Sequence, residues 1–132
     1  TGGVHGHAGM FTTAADLARY CRMILNKGEL DGFRFIQPET IRLMTSVQSP
    51  SEVESLRGLG WDIESSYSSQ RGEIFPIGGF GHTGFTGPSI WIDPSSETFV
   101  IFMSNRLHPD GKGNVVPLRK RLGTLAAEAV GY

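Results

Sequence analysis

The sequence has a single cysteine, Cys21, and only three lysines, Lys27, Lys112 and Lys120. One thiol excludes an internal disulfide framework and any multi-cysteine zinc or iron–sulfur cluster. Cys21 falls among apolar residues of a predicted helix, where a buried, inert thiol is expected. No apolar run approaches the ~20 residues that a bilayer-spanning helix needs. Neither sign of charge is in excess: 12 Lys+Arg stand against 13 Asp+Glu, a net charge of −1. A nucleic-acid or anionic-membrane partner calls for a basic surplus on one face, so neither is expected. Internal repeats and low-complexity tracts are absent as well. No basic–apolar–small segment opens the chain, which starts on Thr1-Gly2-Gly3 as the interior of a longer protein would.

What the chain has in abundance is glycine, 18 of 132 residues, about twice the usual share. There is no Gly-X-Y period, and 39% hydrophobic with 19% charged residues is a globular composition. Sharp turns or close backbone approaches are therefore needed at many places.

Patterning gives the elements. After a glycine-rich loop over residues 1–12, Thr13-Ala14-Ala15-Asp16 reads as a helix cap, with a hydroxyl and an acid three residues on. Leu17, Tyr20, Cys21 and Ile24 follow at helical spacing, and Lys27-Gly28 is the stop. Asp31-Gly32 marks a turn, and Pro38 opens a second helix carrying Ile41, Leu43, Met44 and Val47. Residues 48–58 and 66–79 read as polar surface loops. Between them, Gly58 to Ser65 reads as a strand with Leu59, Trp61 and Ile63 on one face. Ser89 to Asp93 and Thr98 to Ser104 are strands joined as a hairpin through Pro94–Glu97; the second is apolar nearly throughout and is expected at the sheet's centre. Pro117 opens the last helix. Its predicted apolar stripe is Leu118, Leu122, Leu125 and Ala129, with Gly123 and Ala126 for close packing and Arg119-Lys120-Arg121 as a solvated face. The fold class is α+β: an antiparallel sheet of at least three strands packed with helices. Residues 1–50 supply loop and helices, and residues 58–132 supply the strands and last helix of one domain.

The segment from Gly78 to Gly87, GGFGHTGFTG, holds five glycines, which weaken a strand and bury nothing. A ligand lying against the backbone would justify them: Gly84 lets a substrate approach main-chain N–H groups, and His82 and Thr83 offer an imidazole and a hydroxyl to it. A glycine-rich bulge with His82 as a hydrogen-bond anchor fits the spacing equally well. His5-x-His7, joined by His82 or Asp16, is a weaker metal-ligand candidate. His108-Pro109-Asp110-Gly111 reads as a turn, Tyr20 as helix core, and Tyr67 as a cleft candidate.

His82-Thr83-Gly84-Phe85-Thr86-Gly87, followed by Trp91-Ile92-Asp93-Pro94 and Phe99 to Arg106, resembles the third signature box of the serine β-lactamase and penicillin-binding-protein superfamily. Gly6 to Tyr20, the Pro38–Met44 helix and Gly58-Leu59-Gly60-Trp61 match its class-C-related, esterase-like branch in order and spacing. The resemblance implies acyl transfer through a serine acyl-enzyme, without cofactor or metal. It implies that His82 and Thr83 hold a substrate carboxylate or assist proton movement and that the Phe85 N–H is an oxyanion donor. Gly84, Thr86 and Gly87 would line the substrate. His82 stands where most members have Lys, and an imidazole is charged only part of the time near neutrality. That moves the expectation from β-lactam or D-Ala-D-Ala substrates toward an ester or amide.

The nucleophile's Ser-x-x-Lys box cannot be formed, because Ile24, Pro109 and Pro117 stand three residues before the lysines. Tyr-x-Asn and Ser-x-Asn are absent too, since Ile24, Met103 and Lys112 precede the three asparagines by two. The resemblance thus implies the C-terminal segment of a larger, exported hydrolase, periplasmic or extracellular, and inactive when alone. Its partners would be an acyl substrate, the N-terminal part of the same protein, and a second copy at an uncovered sheet edge. A non-catalytic module binding cell-wall peptides in the same groove is the rival reading.

Overall fold

Thr13 starts the first helix in the computed structural model, which describes residues 9–132. Its hydroxyl accepts the Asp16 N–H at 3.1 Å and donates to the Asp16 carboxylate at 2.9 Å, so the predicted cap forms. Helix α1 (Ala14–Leu25) buries Cys21, Met23 and Ile24. Burial pushes the Cys21 thiol up to about 11, which leaves it protonated and inert near neutrality. Tyr20 sits at the rim of this face, stacked on Trp61 with ring centres 6.3 Å apart.

Strands β1 (Glu29–Leu30) and β2 (Phe33–Arg34) form a small hairpin. Its Asp31 and Gly32 have φ of 52° and 77°, the two left-handed residues that a two-residue hairpin turn requires. Helix α2 (Pro38–Thr45) begins on its proline and buries Ile41.

The main sheet is antiparallel, in the order β3-β4-β5-β6-β7. Its strands are β3 (Leu56–Arg57), β4 (Asp62–Glu64), β5 (Phe80–Thr83), β6 (Ser89–Asp93) and β7 (Thr98–Phe102). Alternation along the strands sends side chains to two cores. Ile63, Phe80 and Ile92 meet Cys21, Ile24 and Ile41 on the side of α1 and α2. Trp91 meets Phe75 and Ala127 on the other side, under helix α3 (Val116–Ala129). The result is three layers, helices on both faces of an antiparallel sheet.

The run at Thr98 to Ser104 is not central: β7 lies at the sheet's edge, with no strand beyond it among the described residues, and all five of its residues are half-buried. The strand expected from Gly58 starts only at Asp62, because Gly60 turns the chain with φ of 80° and leaves Leu59 exposed. The first polar loop contributes β3. The second contains a 3₁₀ turn (Ser68–Arg71) and the buried Phe75, whose ring stacks edge-on against Tyr132.

Helix α3 buries Arg119, Gly123 and Ala127, not the predicted leucine stripe; Leu118 and Leu125 are about half exposed. Gly123 sets this choice. A Cβ there would lie 2.4 Å from the Gln70 oxygen and 2.7 Å from the Gly72 nitrogen, so the helix seats its smallest residue against the 3₁₀ turn. No helix among the described residues is long and apolar enough to cross a membrane.

Candidate functional site

Among the described residues strand β5 is paired on both sides only at Gly81, opposite Asp62 of β4 and Trp91 of β6. Beyond it, His82 and Thr83 pair with Ile90 and Ser89 alone among the described residues. Because β4 begins only at Asp62, after the Gly60 turn, the end of β5 borders an open cleft of about 430 Å³ that reaches His82, Thr83, Gly84 and Phe85. A second hollow of about 400 Å³, walled by Met10, Phe11, Leu17 and Met103, borders the same His82-Thr83-Gly84 segment. His82 is exposed and Thr83 half-buried, so both side chains are reachable.

The strand glycines have a packing cause that sequence spacing does not reveal. A Cβ on Gly81 would lie 2.1 Å from the Ile90 oxygen and 2.7 Å from the Trp91 ring, and one on Gly79 would lie 2.9 Å from the Trp91 indole nitrogen. The Trp91 indole lies across the bare backbone of β5. Ligand approach therefore explains neither of these two glycines.

After Thr83 the chain makes a tight turn. The Gly84 N–H donates to the Pro88 carbonyl at 2.8 Å, and the Gly87 N–H to the Gly84 carbonyl at 3.1 Å. Gly87 has φ of 132°, and a Cβ there would lie 2.7 Å from the Ser104 hydroxyl, so it serves the turn's shape. Thr86 and the Phe85 ring are exposed. The Arg106 guanidinium lies over that ring, 4.4 Å from its centre. No hydrogen bond from the Phe85 N–H is found among the described residues.

Two residues of this region carry no motif that marks them in the sequence. Arg119, expected in solvent, is only 6% exposed and donates to the carbonyls of Gly84, Gly87 and Pro88. Burial first, and then the charge of Arg106, lower its pKa, yet an arginine stays cationic in a protein. The signal was the i, i+4, i+8 alignment of Arg119 with Gly123 and Ala127, which marks one packed face. Asp62 is 1% exposed and lines the cleft. It accepts hydrogen bonds from the Ser65 and Ser68 hydroxyls at 2.6 and 2.8 Å, with Arg57 3.8 Å away. The serines three and six residues on were its signal. Tyr67, the cleft candidate, does line the cleft.

Among the described residues no group of three or more His, Cys, Asp and Glu could hold a metal ion. His5 and His7 lie outside the described residues. What the site brings together is an imidazole, a hydroxyl and a turn whose Phe85 and Thr86 N–H groups have no acceptor among the described residues, a set that can hold a small anion or polarise a carbonyl.

The β-lactamase family model matches residues 1–124. The chain belongs to the β-lactamase family. It is 32% identical over 134 residues to a Salmonella gallinarum protein whose name assigns it provisionally as a D-alanyl-D-alanine carboxypeptidase; the match takes in 99% of this chain and 30% of that protein. A relative of the same name from Escherichia coli K12 is 31% identical over 109 residues, covering 81% of this chain and 24% of its own length. The chain thus spans less than a third of the length of these relatives. A β-lactamase structure from Mycobacterium bovis superposes with a TM-score of 0.71 at 23% identity, over 92% of this chain and 45% of that one. A penicillin-binding-protein homologue from Caulobacter crescentus gives 0.62 at 23% identity, over 88% and 32%. The expected α+β, β-lactamase-like fold is therefore the fold observed.

Proposed function

We propose that this chain supplies one wall of an acyl-transfer site in a longer serine hydrolase of the β-lactamase family. In the reaction a serine oxygen bonds to a substrate carbonyl carbon. The leaving group departs with a proton, and water then releases the acyl group. This chain provides no Ser-x-x-Lys, so the serine and its base come from the remainder of the protein, and residues 9–132 alone are inactive. Here the Phe85 N–H receives the developing oxyanion, while His82 and Thr83 hold the substrate's polar end or pass a proton. Gly84, Thr86 and Gly87 shape the turn against which the substrate lies. The single observation that carries this reading is the open end of β5, where His82, Thr83 and Phe85 line one cleft and the Phe85 N–H has no acceptor among the described residues.

With an imidazole where most members have lysine, an ester or neutral amide is the favoured substrate class. The relatives' names make a D-alanyl peptide the second choice. The remainder of the protein, or a second copy of the chain, covers the β7 edge. The rival reading, a peptide-binding module without catalysis, keeps the groove but lacks the serine. The full-length protein assayed on a chromogenic acetate ester decides between them. Turnover with a trapped acyl-enzyme in its mass spectrum is the expected result; no turnover and no adduct would favour the binding module.

A further inference from the structure

Every carbonyl from Gly84 to Pro88 is held from within the protein. Arg119 reaches the Gly84 oxygen at 3.0 Å, the Gly87 oxygen through Nε at 3.1 Å and the Pro88 oxygen at 3.0 Å. Arg106 takes the other two, the Phe85 oxygen through Nε at 2.5 Å and the Thr86 oxygen through its own backbone N–H at 2.8 Å. In a trans peptide the C=O and N–H of one unit point in opposite directions. Fixing the Gly84 oxygen on Arg119 therefore turns the Phe85 N–H away from α3. Fixing the Phe85 oxygen on Arg106 turns the Thr86 N–H away from Arg106. Neither N–H has an acceptor among the described residues.

Arg119 is an unusual choice if packing were its only task. Its guanidinium is buried, and no carboxylate pairs with it among the described residues. A buried cation without a counter-ion is costly, and an apolar residue of similar length would fill the space at lower cost. What only the planar guanidinium offers is several donors aimed at once, together with a positive charge that polarises the peptides it holds.

We infer that Arg119 is a positioning residue: it sets the direction of the Phe85 N–H and strengthens it as an oxyanion donor, with Arg106 doing the same for Thr86. This deepens the hydrolase reading and rests on it. A misaimed donor costs rate in the transition state and leaves ground-state binding nearly alone.

The test uses the full-length protein with Arg119→Lys and Arg119→Met, each checked for folding by circular dichroism. For folded variants the expected loss is about 10- to 100-fold in kcat with KM nearly unchanged. Affinity for phenylboronic acid, which forms a tetrahedral adduct, should fall by the same factor, while affinity for the carboxylate product holds. A folded variant with unchanged kcat, or with boronate and product affinities falling together, overturns the assignment. If the unmodified protein neither turns over esters nor binds the boronic acid, the hydrolase reading fails. The Arg119 assignment is then decided by the Phe85 amide resonance of the 132-residue chain. A displacement of that resonance in Arg119→Lys supports the assignment, and an unmoved one overturns it. The same spectrum serves if Arg119→Met does not fold.

Discussion

Gly81→Ala is expected to destabilise the chain by roughly 3 kcal/mol or more, at the upper end of what overpacking does. The added Cβ would lie 2.1 Å from the Ile90 oxygen and 2.7 Å from the Trp91 ring. Neither neighbour has room to yield: Trp91 is 1% exposed between the sheet, Phe75 and α3, and Ile90 belongs to the strand paired with β5. Strand β5 cannot retreat either, since Gly81 is held between Asp62 and Trp91 in the ladder. Gly32→Ala is the control. Among the described residues nothing stands within 4 Å of a Cβ there, and only its φ of 77° is unfavourable, a cost of about 1 kcal/mol. Urea unfolding followed by circular dichroism measures both. Equal losses at the two sites would mean that Trp91 does not lie across β5 as described.

His82→Ala and Thr83→Ala in the full-length protein are expected to lower kcat/KM about 100-fold each, as removal of a proton-transfer or positioning group does. Stability should move by no more than about 0.5 kcal/mol for His82, which is exposed and ends a strand that β6 holds through its backbone. That separation is the informative part. A residue kept for folding would lose stability and rate together, whereas these two extend past the start of β4, where the cleft begins. Ester hydrolysis measured beside thermal unfolding checks it, and unchanged rates in both variants would remove His82 and Thr83 from the site.

Local rules make much of the fold legible in the amino-acid sequence. The Thr13 cap, the Asp31-Gly32 turn, the Pro38 and Pro117 helix starts and the hairpin through Pro94–Glu97 all depend on neighbours in sequence, and all are found. What sequence patterning misplaces depends on distant partners. An apolar strand reads as central when its residues are counted alone, but its place in the sheet is set by which strands pair with it, and β7 pairs with β6 alone among the described residues. Helix α3 offers a leucine stripe to any periodicity count. Yet Gly123 must meet the backbone of the 3₁₀ turn, and that rotates Arg119 inward. The site is legible in part for the same reason. His-Thr-Gly and its flanking glycines are contiguous, whereas Arg119 reaches the Gly84–Pro88 turn from more than thirty residues away. Gly79 and Gly81 carry a true signal whose cause is not the expected one, since Trp91 and not a ligand requires them.

The Phe85 N–H is the central donor of the proposed site. In the ¹⁵N-labelled full-length protein, titration with phenylboronic acid should move the Phe85 amide proton downfield, saturating at the concentration that inhibits ester hydrolysis. Inhibition by the boronic acid with the Phe85 and Thr86 amides unmoved would place the oxyanion elsewhere and contradict it.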